Sequence, residues 1–442
     1  MSALAAYRQR LRQAPLFRRV GWVRRLHGLA IESEGPAAEL GELCRIGPRT
    51  AGGGPGVLAE VVGMRAGHLT LMAFGALQGV ANGSEVVALG RQSQLPVGDA
   101  LLGRVVDAFG VPLDGQPALR VTAQRRLFPA SPNPLQRPRI TQVLESGIRC
   151  IDVLLTLGRG QRVGIFAGSG VGKSTLLGMV ARHVQADVNV IALIGERGRE
   201  VREFIESQLG PQGLARSVIV VATADQPAPA RVRAAHAAVA IANHFAESGR
   251  QVVLTLDSIT RLAMARREIG LAAGEPATAR GYTPSVFAEL PQLCERCGTL
   301  PGGGSVTALL TVLVEGDDLN EPVSDSLRAI LDGHIVLSRE LAQQGQYPAI
   351  DVLKSASRLF ADLAGKEERE LAAAALRTLA LLDRNRQMVD IGAYQRGSNP
   401  ALDEALGRED GLKAWLAQAN GGVPRAEALR SLAALMEGKS RP

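Results

Sequence analysis

Between Gln161 and Gly178 the chain reads QRVGIFAGSGVGKSTLLG: an apolar run, a glycine-rich turn, then an apolar-periodic segment. Gly168, Gly170 and Gly172 let the backbone curl until successive N–H groups point into one concavity, a nest for phosphate oxygens. A helix opening near Lys173 adds the partial positive charge of its first turn. Lys173 has the reach for β- and γ-phosphates, and the Ser174 hydroxyl suits Mg²⁺. Gly168, Ser169, Gly170, Val171, Gly172, Lys173, Ser174 and Thr175 are therefore the expected nucleotide contacts, with ATP and Mg²⁺ as the cofactors. Ala167 stands where the motif GxxxxGK[ST] has its first glycine.

A phosphate loop binds nucleotide; hydrolysis needs carboxylates as well. In QVVLTLDSITRLAMARRE, Asp257 ends an apolar run and is placed to hold the metal with Ser174. In IGERGRE, Glu196 ends another and is the candidate base that orients the attacking water. The catalytic set read here is Lys173, Glu196, Arg197, Asp257 and, on grounds given below, Arg358.

These residues need a sheet whose strands end together. Apolar runs at Arg162–Phe166, Val188–Ile194, Val218–Ala222, Val252–Leu256 and Val306–Val314 read as buried parallel strands. Helical segments separate them, at Ser174–Val184, Glu200–Leu209, Ala230–Ser248 and Ile259–Ile269. The fold class is α/β, with the ligand site at the carboxyl ends of the strands. Residues 1–20 read as a basic helix and 21–95 as a small β-barrel, with strands near Val57–Val62, His68–Ala73 and Ser84–Leu89. Residues 96–145 form a linker region that includes FPASPNPLQRP. The ATPase domain spans 146–360, and 361–442 is a helical domain with segments Lys366–Arg384, Ala401–Leu406, Gly411–Ala419 and Arg425–Met436.

Composition excludes several classes. Hydrophobic residues make up 46% and charged residues 21%, an ordinary globular balance. No apolar stretch is long enough for a membrane span, and the arginine-rich start lacks a signal-peptide core, so the cytoplasm is expected. Net charge is +7, yet aromatics are only 3%, too few to stack single-stranded bases, so nucleic acid is not an expected partner. The four cysteines are too scattered for a disulfide framework; Cys294 and Cys297 read as two positions on one helix face. The arginines from Arg8 to Arg25 suit a partner helix or an anionic membrane surface.

Long ungapped stretches carry a family resemblance: PVGDALLGRVVDAFGVPLDG, GRGQRVGIFAGSGVGKSTLLGM, IALIGERGREVREFIE, RGYTPSVFAELPQL, RAILDGHIVLSRELA and YPAIDVLKSASR. The chain resembles the hexameric ATPases of type III protein export, flagellar and injectisome, themselves similar to the catalytic subunits of rotary ATP synthases. Alanine often opens the phosphate loop in that family. The resemblance implies a RecA-like core and makes Glu196 the water-activating glutamate. It makes Arg358 an arginine finger offered to the neighbouring subunit, and Tyr347 the aromatic stacked on adenine. It further implies a homohexamer at the inner face of the bacterial membrane and a stator-like regulator on the N-terminal helix. A coiled-coil central stalk would face Arg280–Pro284, and chaperone–substrate complexes would be delivered to a membrane export gate. Phrases such as EGDDLNEPVSDS lie nearer the flagellar branch. The injectisome ATPase and a synthase subunit are the alternatives. A Rho-like translocase is disfavoured by the aromatic-poor barrel, and a non-hydrolysing docking protein by the intact site.

Overall fold

The computed structural model describes residues 17–48, 56–90, 94–121, 123–129, 132–314 and 318–438. The expected N-terminal helix lies outside them up to residue 16. At its end the expectation fails, because Arg19 already begins a strand.

Six strands, β1 (Arg19–His27), β2 (Ala30–Glu34), β3 (Leu43–Ile46), β4 (Val57–Arg65), β5 (His68–Ala73) and β6 (Glu85–Ala88), close into an antiparallel barrel ordered β1-β2-β5-β4-β3-β6. Period-two alternation turns Val23, Ile31, Ile46, Val61 and Leu71 inward. Closure leaves no exposed edge.

The central sheet contains β7 (Val105–Val106), β8 (Arg162–Ala167), β9 (Val188–Ile194), β10 (Ser217–Ala222), β11 (Gln251–Asp257), β12 (Ser305–Leu313), β13 (Gly333–Leu337) and β14 (Ile350–Ser357). Their order is β14-β13-β8-β12-β11-β9-β10-β7. All neighbours pair in parallel except β13 and β14. Every residue of β9 is buried, as befits a sheet covered on both faces. β7 comes from the stretch read as linker, and Leu101 and Leu127 beside it belong to the same core.

Helices α1 (Lys173–His183), α2 (Ala228–Glu247), α3 (Ile259–Ala272) and α4 (Pro284–Glu295) cover the sheet. The alanine-rich α2 is buried along nearly its whole length, since small side chains let it lie close to β9 and β11. The helix expected at Glu200–Leu209 is instead an α turn at Gly198–Glu203 running into a π-helical turn at Phe204–Leu209, followed by a further α turn at Gly210–Ala215. Cys297 lies past the end of α4, not on it. Both it and Cys294 are buried, and burial pushes the Cys297 thiol up to about 11, so the pair is inert packing.

The C-terminal domain is α5 (Lys366–Asp390), α6 (Pro400–Leu416) and α7 (Arg425–Met436). Two segments read separately, at 401–406 and 411–419, join in one helix that ends at Leu416, because Gly407 is tolerated within α6. Trp415 and Leu432 join the core formed by Ile151 and Leu154. The Arg425 guanidinium donates to both oxygens of Glu368 at 2.8 Å.

Candidate active site

Strand β8 ends at Ala167, whose carbonyl accepts from the Val314 N–H at 3.0 Å. The chain then turns through Gly170 and Gly172, both left-handed at φ 78° and 85°. Gly172 caps α1 and offers no side chain to it, so the first N–H groups of α1 face the open loop. Ser169, Gly170 and Ser174 are exposed, whereas Val171 is buried and anchors the loop to the core.

Three distant residues meet at this loop. The Lys173 ammonium is ion-paired with Asp257 and lies 3.6 Å from Glu196 Oε1. All three side chains are mostly buried. Asp257 ends β11 and also accepts from the Thr311 hydroxyl at 2.8 Å. Glu196 follows the left-handed Gly195, whose N–H donates to Ala222 O at 2.7 Å. Burial is the main force pushing the Glu196 carboxyl up to about 7. Lys173 opposes that rise, while Asp257 and Glu200 add to it. A carboxyl in that range can accept a proton near neutral pH.

Tyr347 comes from the loop between β13 and β14. A side-chain carbon on Gly172 would stand 3.2 Å from its ring, so the ring covers the junction of loop and helix. The Tyr347 carbonyl accepts from Gln418 N–H at 2.8 Å, which ties its backbone to the C-terminal domain. The residue remains 45% exposed, which leaves it open beside the phosphate loop.

Two expected residues stand apart. Arg197 is exposed and pairs with Glu200 at 3.3 Å. Arg358 follows β14; its N–H donates to Asp332 O at 2.9 Å and its guanidinium to Arg328 O at 2.9 Å. That places it level with Val163, which pairs with Gly333 at the start of β8. The phosphate loop leaves the other end of the strand, roughly 13 Å away at 3.3 Å per residue. Within one chain, Arg358 sits at the end of the sheet opposite its own loop.

Sequence reading passed over Arg261. Its stem packs on Gly195, where an added side-chain carbon would meet Arg261 Cβ at 2.9 Å, and its Nε is buried without a partner. The signal was its place one helical turn after Asp257. In the RGYTP loop, Arg280 is left-handed at φ 52° and pairs with Asp318 at 2.9 Å, while Tyr282 is buried.

For Mg²⁺, the exposed Ser174 hydroxyl and the Asp257 carboxylate are the site oxygens suited to hold it, with Glu196 left for the water. These are hard donors, and Mg²⁺ takes few protein ligands when phosphates supply the rest, so the donor set fits.

Comparison with known proteins agrees with this geometry. Residues 147–357 match the ATP synthase alpha/beta family, nucleotide-binding domain, and residues 364–434 match the T3SS EscN ATPase C-terminal domain. The flagellum-specific ATP synthase of Bacillus subtilis is 51% identical over 390 residues, covering 88% of this chain and 89% of that protein. The type 3 secretion system ATPase of Xanthomonas euvesicatoria is 48% identical, covering 91% and 90%. The assembled ATPase EscN of the enteropathogenic E. coli type III secretion system superposes with a TM-score of 0.89 at 40% identity. That match covers 94% of this chain and 100% of EscN. EscN in complex with its central stalk EscO gives a TM-score of 0.86 at 39% identity over the same shares. With a phosphate loop, two strand-ending carboxylates and this likeness along nearly its whole length, the chain belongs to the flagellum-specific and type 3 secretion ATPases of the ATP synthase alpha/beta family.

Proposed function

We propose that the chain hydrolyses ATP to ADP and phosphate as a subunit of a homohexameric ring that assists type III protein export, most directly of flagellar components. The observation that carries this reading is the convergence of Lys173, Glu196 and Asp257 on the loop from Gly168 to Thr175. The loop amides and Lys173 bind the β- and γ-phosphates, and the open face of Tyr347 takes the adenine. Ser174 and Asp257 hold Mg²⁺, which neutralises phosphate charge when bound. Glu196 orients water toward the γ-phosphorus. A water oxygen–phosphorus bond forms as the bond to the bridging β–γ oxygen breaks, and ADP leaves with that oxygen while the water proton passes to Glu196 or to phosphate. Arg261, whose stem packs on Gly195 and whose Nε is buried without a partner, is an added cation for the departing phosphate. Arg197, exposed in a single chain, acts only where a neighbouring subunit closes over it.

Charge spread over the γ-phosphoryl oxygens calls for a rigid cationic fork. Arg358 cannot bring one to its own loop, and in a head-to-tail ring it serves the neighbour's. The loop Arg280–Pro284, whose Arg280 pairs with Asp318, would face a coiled-coil stalk. The complex of EscN with its central stalk supports such a partner. The basic N-terminal segment would hold a stator-like regulator. Chaperone–substrate complexes would be handed to an export gate by a ring sitting peripherally at the inner face of the membrane. Among the described residues no helix is long and apolar enough to cross a membrane.

Glu196→Gln tests the chemistry. It is expected to bind a fluorescent ATP analogue as the parent does and to lose turnover by at least about a hundredfold, the span general-base groups contribute. Turnover at the parent rate refutes the assignment.

A further inference from the structure

The carboxylate at the end of β11 has a second neighbour that the reading above does not use. Thr311 lies on β12, the strand beside β11, in the register that pairs Leu256 with Leu310. It is completely buried. Its hydroxyl stands 2.8 Å from Asp257 Oδ1 and 3.2 Å from the Leu256 carbonyl oxygen. A threonine has one hydroxyl proton, and the charged, nearer acceptor takes it.

Asp257 Oδ1 thus receives two donors, Thr311 and Lys173. They differ in what nucleotide does to them. Lys173 is the group that phosphate demands, so nucleotide binding draws it from the carboxylate. Thr311 is sealed inside the sheet, where no ligand competes for it. A carboxylate released by its lysine would otherwise be free to rotate.

We propose that Thr311 is a positioning residue: its hydroxyl locks one oxygen of Asp257 so that the other is held for Mg²⁺ once Lys173 has moved to the phosphates. The inference rests on the assignment of Asp257 as the metal anchor. It makes a specific claim: Thr311 governs how much Mg²⁺ tightens nucleotide binding, not how well nucleotide binds alone.

The test compares a fluorescent ATP analogue titrated with and without Mg²⁺ against the full-length wild-type protein, Thr311→Val, Thr311→Ser and Asp257→Asn. Valine keeps the shape of threonine and suits a buried strand, and serine restores the hydroxyl. Expected is an unchanged metal-free Kd in Thr311→Val, with the gain in affinity on adding Mg²⁺ reduced about tenfold, or about 1.4 kcal/mol. Thr311→Ser recovers most of the gain, and Asp257→Asn loses at least as much as valine. Three results overturn the proposal: Thr311→Val keeps the full Mg²⁺ gain while Asp257→Asn loses it, serine fails as badly as valine, or the metal-free affinity falls in parallel. If Asp257→Asn itself keeps the gain, the metal-anchor assignment falls and the role of Thr311 falls with it.

Discussion

Mixing two inactive proteins is the sharpest way to ask whether the site is shared between subunits. Lys173→Ala removes the cation of the phosphate loop, and Arg358→Ala removes the proposed finger. Each is expected to lose ATPase activity as a pure ring, by about a thousandfold or more for the finger. The two residues lie at opposite ends of β8, roughly 13 Å apart along the strand. If Arg358 serves the neighbour's loop as proposed, the two losses belong to different interfaces. Subunits of the two variants, mixed in equal amounts and assembled together, place an intact loop against an intact finger at about one interface in four, the product of two independent halves for a head-to-tail contact. ATPase activity measured after mixing should therefore climb from near zero to about a quarter of the wild-type rate if sites fire independently. Pre-formed rings mixed without subunit exchange serve as the blank. Activity that stays at the sum of the two pure variants would refute the shared site, and so would a pure Arg358→Ala ring at wild-type rate.

Two further outcomes follow from local geometry. Gly172→Ala forces a side chain onto a left-handed backbone and against the Tyr347 ring at 3.2 Å; a loss of about 1–2 kcal/mol is expected, read as a lower melting temperature together with weaker ATP-analogue binding, and an unchanged value for both would contradict the packing described. Glu60, on the barrel wall, faces Arg233, Arg266 and Glu289 of the ATPase domain across a cavity of about 260 Å³. Burial pushes its carboxyl from 4.5 up to about 7, against the pull of Arg233 and Arg266. The native state then keeps a proton that the unfolded chain has lost, so Glu60 costs stability as pH rises from 4.5 to 7. The cost reaches at most about 3–4 kcal/mol above pH 7, at 1.36 kcal/mol per unit. Glu60→Gln should raise the melting temperature more at pH 8 than at pH 5, and an equal gain at both would show that burial does not hold the proton there.

The phosphate loop was legible because its chemistry is local: three glycines, a lysine and a hydroxyl within nine residues dictate the turn and the helix start without help from the rest of the chain. The buried strands were legible for a similar reason, since parallel strands covered on both faces are apolar throughout. Asp257 and Glu196 could be picked out as strand-ending acids, but that they share Lys173 depends on β9, β11 and β8 lying in one sheet in a particular order, a long-range pairing no local pattern carries. Tyr347 is the clearest case. Nothing near Gln346 or Pro348 says that its ring will cover Gly172; the antiparallel β14 and the bond from Gln418 put it there. Sequence also could not separate a helix from a strand start at Arg19, or find the break at Phe204–Leu209, because terminal pairing and π-turns are decided by neighbours in space. Arg358 and Thr311 show the same division. Composition makes them an ordinary arginine and an ordinary strand threonine. Only the sheet sets one at the wrong end of β8 for its own loop and the other within hydrogen-bonding distance of Asp257, because strand order fixes which side chains a buried carboxylate meets.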